Sequence, residues 1–188
     1  MESRTVYFDN VGSTNTEAVL DIVRQRAEEL GIKTMLVAST SGNTAVKAVE
    51  TLGKFRVIIV SHTTGFRQPD FQEFEEENRK LVESKGGIIL TTTHAFMGVS
   101  RALRNKFNTM AIGVIIANSL RIFGEGMKVA CEITLMAADS GLVRTKEEVI
   151  AIAGTDHGAD TAIVLKPVHT HNFFDLRVQE ILCKPRFN

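Results

Sequence analysis

Short apolar runs that give way to small polar residues and then to helical periodicity recur along this chain. That alternation constrains the fold more than any single motif. Met35-Leu36-Val37-Ala38 ends in Ser39-Thr40-Ser41-Gly42-Asn43-Thr44, after which Ala45, Val46, Ala48, Val49 and Leu52 recur at helical spacing with Gly53 as the stop. Val57-Ile58-Ile59-Val60 opens into His62-Thr63-Thr64-Gly65-Phe66-Arg67. The acid-rich stretch from Pro69 to Ser84 then reads as a helix with a broad solvated face, closed by Gly86-Gly87. Ile88-Ile89-Leu90 runs into Thr91-Thr92-Thr93-His94 and a helix from Met97 to Lys106. Unbroken apolar runs suit strands buried on both faces, as in a parallel sheet covered by helices.

The remaining segments extend this pattern. A helix from Asn15 to Leu30, capped by Ser13 or Thr14, stops at Gly31. The apolar stretch 111–117 reads as a short helix or a loop-bound segment. Gly124-Glu125-Gly126 leads into a strongly patterned helix from Met127 to Asp139, on which Glu132 and Asp139 read as solvated or capping acids. Two further strands, Glu148 to Ala153 and Thr161 to Val168, are joined by 154–160, and so short a joint permits an antiparallel hairpin. Val178 to Cys183 reads as an edge strand and a surface through which a homo-oligomer would form. The expected class is α/β: a three-layer open sheet, mostly parallel, with an antiparallel strand near the C-terminus, forming one domain over residues 1–188.

Ligands of such sheets bind beyond the carboxyl ends of the parallel strands. The loops 39–44, 61–67, 91–97 and 154–160 are therefore expected to converge on one crevice. In the first of them, Ser39, Thr40, Ser41 and Thr44 supply hydroxyl donors, Gly42 lets the backbone approach an anion, and Asn43 or Thr44 begins a helix. The unpaired N–H groups of that first turn carry partial positive charge. The combination suits a phosphate group; the alternative is an ordinary hydroxyl-capped turn. His62, Thr63, Thr64, Gly65, Phe66, Thr93, His94, Phe96, Gly154 and Asp156 are the candidate pocket wall. His62, His94 and His157 are candidates for proton transfer, against the reading that they are ordinary loop histidines.

Charge and cysteine content narrow the partners. With 22 basic and 22 acidic residues, no general affinity for nucleic acid is expected, and anion recognition must be local. Cys131 and Cys183 provide neither a disulfide framework nor metal-ligand spacing, and the His169-x-His171 pair lacks companions, so no metal site is expected. No apolar run approaches the length that spans a membrane, and the opening residues resemble no signal or transit peptide. A cytoplasmic location is therefore expected.

Val37-Ala38-Ser39-Thr40-Ser41-Gly42-Asn43-Thr44-Ala45 resembles the effector loop of the pyruvate kinase C-terminal domain. Val149-Ile150-Ala151-Ile152-Ala153-Gly154 and Ala162-Ile163-Val164-Leu165-Lys166-Pro167-Val168 are similar to its closing strands. The resemblance runs from about Asn15 to Val168 and implies a stand-alone member of the pyruvate kinase alpha/beta domain family. It implies phosphate donors at Ser39, Thr40, Ser41 and Thr44, as in the loop that holds a sugar-bisphosphate activator. Some relatives use a Trp and an Arg for the other phosphate; this chain has no Trp, and no equivalent Arg is assigned. The catalytic barrel exceeds this length, so pyruvate kinase activity is not expected. The same loop resembles the phosphate loop of flavodoxins, which implies FMN as the first cofactor to consider, with Phe66 and Phe96 beside the flavin ring. An enzyme acting on a phosphorylated metabolite, or a regulatory module with a vestigial pocket, are the alternatives.

Overall fold

In the computed structural model, which describes residues 2–186, every apolar run read as a strand becomes one. The chain begins with β1 (Val6–Phe8), a 3-10 turn at Ser13–Asn15 and α1 (Thr16–Leu30). It then alternates through β2 (Thr34–Ala38), α2 (Asn43–Thr51), β3 (Arg56–Ser61), α3 (Glu76–Ser84), β4 (Ile88–Thr91) and α4 (Gly98–Phe107). Two helices follow in succession, α5 (Ile112–Arg121) and α6 (Glu125–Asp139). β5 (Val149–Ala153), β6 (Thr161–Lys166), a 3-10 segment at Thr170–Asp175 and β7 (Arg177–Pro185) complete it.

The strands form one sheet in the order β1-β7-β6-β5-β2-β3-β4. β2 lies parallel to both β3 and β5, β3 is parallel to β4, and β1 is parallel to β7; only β6 runs against its neighbours. Leu36 pairs with Ile58 on one side and Ala151 on the other, so β2 is central. Side chains alternate across the sheet as the pleat requires. Met35, Val37, Val57, Ile59, Ile150, Ile152 and Val164 pack against α1, α2 and α3, whereas Leu36, Ile58, Val60, Val149, Ala151, Ile163 and Leu165 pack against α6. The result is the expected three layers.

Two expectations change in part, and one open reading is resolved. The C-terminal strand is an edge over part of its length only: β7 stands between β6 and β1 in the sheet order, but β1 pairs with Cys183–Pro185 alone, so the outer side of 177–182 has no strand partner among the described residues. β1, a three-residue strand too short to show a period, takes the edge. The helix read from Pro69 begins only at Glu76, because residues 69–75 fold back onto the neighbouring loops instead. There Asp70 adopts φ 60°, Gln72 Nε2 donates to the His62 carbonyl at 3.1 Å, and the Glu75 N–H donates to the Ser41 carbonyl at 3.0 Å. Of the two readings of 111–117 the helix holds: from Ile112 the stretch belongs to α5, which covers Phe96 and Leu135 through Ala117 and Leu120.

α4 and α5 bury little of their apolar surface and leave Val99, Phe107, Ile112 and Ile115 exposed. No helix among the described residues is long and apolar enough to cross a membrane.

Candidate functional site

At the carboxyl end of β2 the Ser39 N–H makes one last strand bond to the Val60 carbonyl at 3.1 Å. The chain then turns through Gly42 into α2. The buried Ser39 hydroxyl accepts the Ala45 N–H at 3.3 Å, capping the third residue of the helix. The N–H groups of Thr40 through Thr44 meet no acceptor among the described residues, so the turn keeps the outward-facing donors an anion needs. Gly42 also answers to packing. A Cβ there would lie 2.5 Å from Asn78 Cβ and 2.9 Å from Phe74 Cε1, and its φ is 102°, so packing against the 74–78 segment demands glycine.

The loop opens onto a crevice of about 670 Å³ at the carboxyl ends of β2, β3 and β5, within the size range of small-molecule sites. Three helices present their amino-terminal turns to it: α1 through Ser13 and Thr16, α2 through Asn43 and Thr44, and α6 through Glu125 and Lys128. Their dipoles all favour negative charge in the same space. Lys47, Arg67 and Arg121 add basic side chains to the wall, although Arg121 is committed to Glu125 and to Asn118 Oδ1 at 3.0 Å.

His62, the first residue after β3, is held from behind. Its Nδ1 lies 2.8 Å from Glu73 Oε2, and the other Glu73 oxygen accepts Arg67 Nε at 2.7 Å. With the proton on Nδ1 donated to Glu73, Nε2 is left as an acceptor, and the Thr40 hydroxyl of the phosphate-type loop lies 3.4 Å from it. A carboxylate that is 8% exposed thus fixes the direction of a ring at the crevice wall.

His94 sits deeper. Burial pushes it down to about 4, with help from the charges of His62, Lys128 and Arg101 and against the pull of Glu132. The ring is therefore neutral at physiological pH, and its Nε2 accepts the Thr63 N–H at 3.4 Å. Phe66 stacks on His94 with centroids 5.2 Å apart, lies 4.3 Å from the His62 ring, and carries Arg101 at 4.4 Å from its centroid. Beneath these rings Lys128 and Glu132 form an ion pair on α6 and both line the crevice; the residues are 6% and 3% exposed. The second Glu132 oxygen accepts the Phe96 N–H at 2.9 Å.

With this geometry in place, the family can be read from a direct match: the model of the pyruvate kinase alpha/beta domain fits residues 17–165. The chain belongs to the pyruvate kinase alpha/beta domain family. The matched residues include all four loops at the crevice and stop before β7. Among solved structures, a pyruvate kinase from Cryptosporidium parvum is 13% identical, with 81% of this chain and 23% of that one covered at a TM-score of 0.44. The Cryptosporidium parvum enzyme in complex with ADP is 14% identical, covering 89% and 23% at a TM-score of 0.37. An O-ureido-L-serine synthase is 18% identical, covering 74% and 50% at 0.32. With TM-scores this low, these likenesses carry no weight beside the family model. The chain spans less than a quarter of the length of the pyruvate kinases it matches.

Within this pyruvate kinase alpha/beta domain, Ser39, Thr40, Ser41, Asn43, Thr44, His62, Phe66, His94, Gly154 and Asp156 all line the crevice, joined by His157. Gly42, Thr63, Thr64, Gly65 and Thr93 do not line it. Phe96 departs furthest from expectation: it is buried against Ala117, Leu135 and Phe173 and does not line the crevice. Gly154 and Gly158 are required by contact. A Cβ on Gly154 would come within 2.5 Å of the Gly158 carbonyl oxygen, and one on Gly158 within 2.3 Å of Ser13 Cα.

Buried Asp160 holds this corner by accepting the Gly12 N–H at 2.8 Å, the Thr155 N–H at 3.0 Å and the Thr161 hydroxyl at 2.7 Å. Cys131 and Cys183 are buried, and burial pushes both thiols up to about 12.

Glu73, Lys128 and Glu132 are the site residues that sequence reasoning missed, Glu132 having been read as a solvated or capping acid. Glu73 was hidden in an acidic stretch that resembled a solvated helix face. Lys128 and Glu132 stand four apart, the spacing of an ordinary surface pair, and only their burial in the folded chain distinguishes them.

Proposed function

We propose that this domain binds a small molecule through its phosphate group, which sits on the N–H groups and hydroxyls of Thr40 to Thr44. The observation that carries this reading is the set of unpartnered N–H groups at a helix amino terminus facing a crevice on which two further helix amino termini converge. FMN is the first ligand to try, because the loop resembles that of flavodoxins and flavin absorbance reports binding directly. Its phosphate end fits the loop. Its ring finds no aromatic partner in Phe96, and Phe66 is already engaged by His62, His94 and Arg101. Sugar phosphates form the second arm of the test.

The experiment is an ultraviolet-visible spectrum of the purified protein, followed by thermal shift with FMN and with sugar phosphates, on the native chain and on Ser41→Ala/Thr44→Ala. The expected result is a ligand-dependent rise in Tm that shrinks in the double variant. Absence of bound flavin together with an unchanged Tm for every ligand at saturation refutes the proposal.

One contact favours a second reading, an enzyme acting on a phosphorylated metabolite with His62 as acid or base. Glu73 orients His62 toward the very loop that would hold the phosphate. Phosphate-dependent turnover abolished by His62→Gln supports this reading, whereas turnover indifferent to that change removes it.

A further inference from the structure

Lys128 stands out among the charged groups of the crevice because its hydrogen-bonding capacity is not used up. An ammonium has three N–H donors, and only Glu132 accepts from it among the described residues. Lys128 lies in the first turn of α6, is 6% exposed, and lines the crevice together with Glu132, Ile133 and Met136. Glu132, by contrast, is engaged on both oxygens, one by Lys128 and the other by the Phe96 N–H. The other basic groups on this side are already committed, Arg121 to Glu125 and Arg101 to the Phe66 ring. Burying an ammonium with donors unmet is unfavourable, and a ligand oxygen that accepts from it relieves that cost.

The local charge restricts which oxygen is suitable. Lys128 with Glu132 and Arg121 with Glu125 form two pairs without net charge, so no spare cation among the described residues is present here to neutralise a second phosphate. His94, which interacts electrostatically with both Lys128 and Glu132, is held neutral by burial, and His62 is hydrogen-bonded to Glu73. A hydroxyl or carbonyl oxygen meets Lys128 without adding charge.

We infer that Lys128 forms a second polar subsite of this crevice, which selects phosphorylated molecules bearing a hydroxyl or carbonyl oxygen, such as phosphorylated sugars and polyols, over phosphate alone. The inference rests on the phosphate reading of residues 40–44. It assigns recognition of the rest of the ligand to α6, on the opposite face of the sheet from α2. The ribityl phosphate end of FMN falls within the same chemical class.

Isothermal titration calorimetry on the full chain with inorganic phosphate and with ribose 5-phosphate tests it, comparing the native chain with Lys128→Met/Glu132→Gln, which removes both charges together. The native chain is expected to bind ribose 5-phosphate ~10-fold or more tightly than phosphate, and the double variant to lose all but ~2-fold of that preference with phosphate affinity unchanged. Circular dichroism establishes that the variant is folded. Should it not fold, Lys128→Gln keeps a polar partner for Glu132 and carries the same expectation.

A preference undiminished in the folded variant overturns the Lys128 subsite while leaving the phosphate site standing. A native chain that binds the two ligands equally well also overturns the subsite alone. Failure of the native chain to bind either ligand overturns both.

Discussion

Replacing His94 by Gln removes an ionisable ring that burial keeps neutral, and with it a defined share of the protein's sensitivity to acid. The folded ring titrates at about 4 against an ordinary value of 6.5, chiefly because burial disfavours its charged form, while Glu132 opposes the shift and His62, Lys128 and Arg101 assist it. Below 6.5 the unfolded chain takes up a proton that the folded chain refuses. Stability is therefore full above that value and is lost as pH falls toward 4, where the folded ring protonates too and the loss levels off.

The difference between the two titrations amounts to about 2 kcal/mol between pH ~7.5 and pH ~5, and to roughly 3 kcal/mol by pH ~4. Gln can still accept the Thr63 N–H, so the variant loses the titration without losing the hydrogen bond. Urea unfolding of both chains across this range is the assay, with the variant subtracted to cancel the carboxylates that titrate at the acidic end. The stability difference between native and variant should shift by about 2 kcal/mol between pH ~7.5 and pH ~5. An NMR titration of the His94 ring should give a midpoint near 4. Parallel stability curves, or a midpoint near 6.5, would show that the ring is accessible and that the packing around the crevice has been misjudged.

Two further outcomes test the framework of the site. Gly42→Ala sets a Cβ against Asn78 and Phe74 and places Ala at φ 102°. It is expected to lower stability by about 1–3 kcal/mol in thermal or urea unfolding, and an unchanged Tm would mean the loop is freer than its contacts indicate. Asp160→Ala strands the Gly12 and Thr155 N–H groups and the Thr161 hydroxyl. A loss of ~3 kcal/mol or more is expected, with faster amide exchange at Gly12, and a loss below ~1 kcal/mol would refute its role as the anchor of this corner.

Much of the fold was legible because the information lies in short windows. Val57 to Val60 and Val149 to Ala153 are apolar at every position, which suits a strand covered on both faces, and the helices between them carry their own periods and stops. The crevice followed from that topology, since loops after parallel strands must emerge at the same edge. Residues 69–75 were misread because their acids scored as a solvated helix, whereas in the fold Glu73 is drawn under His62 and Arg67, and Gln72 under the His62 carbonyl. Phe96 was misread because its place beside His94 in sequence says nothing about the side on which α5 arrives.

Sequence alone determined that the chain alternates strand and helix, that the 154–160 joint turns back as a hairpin, and that small hydroxyl residues stand where α2 begins. Each of these depends on neighbours a few residues away, through periodicity, turn length and capping. Only the tertiary structure decided that β1 pairs with the end of β7, that Gly42 answers to Asn78 and Phe74, and that Lys128 and Glu132 are buried at the wall of the crevice. Strand pairing and the burial of charge depend on partners far apart in the chain. The chain's local pattern cannot name those partners before packing brings them together.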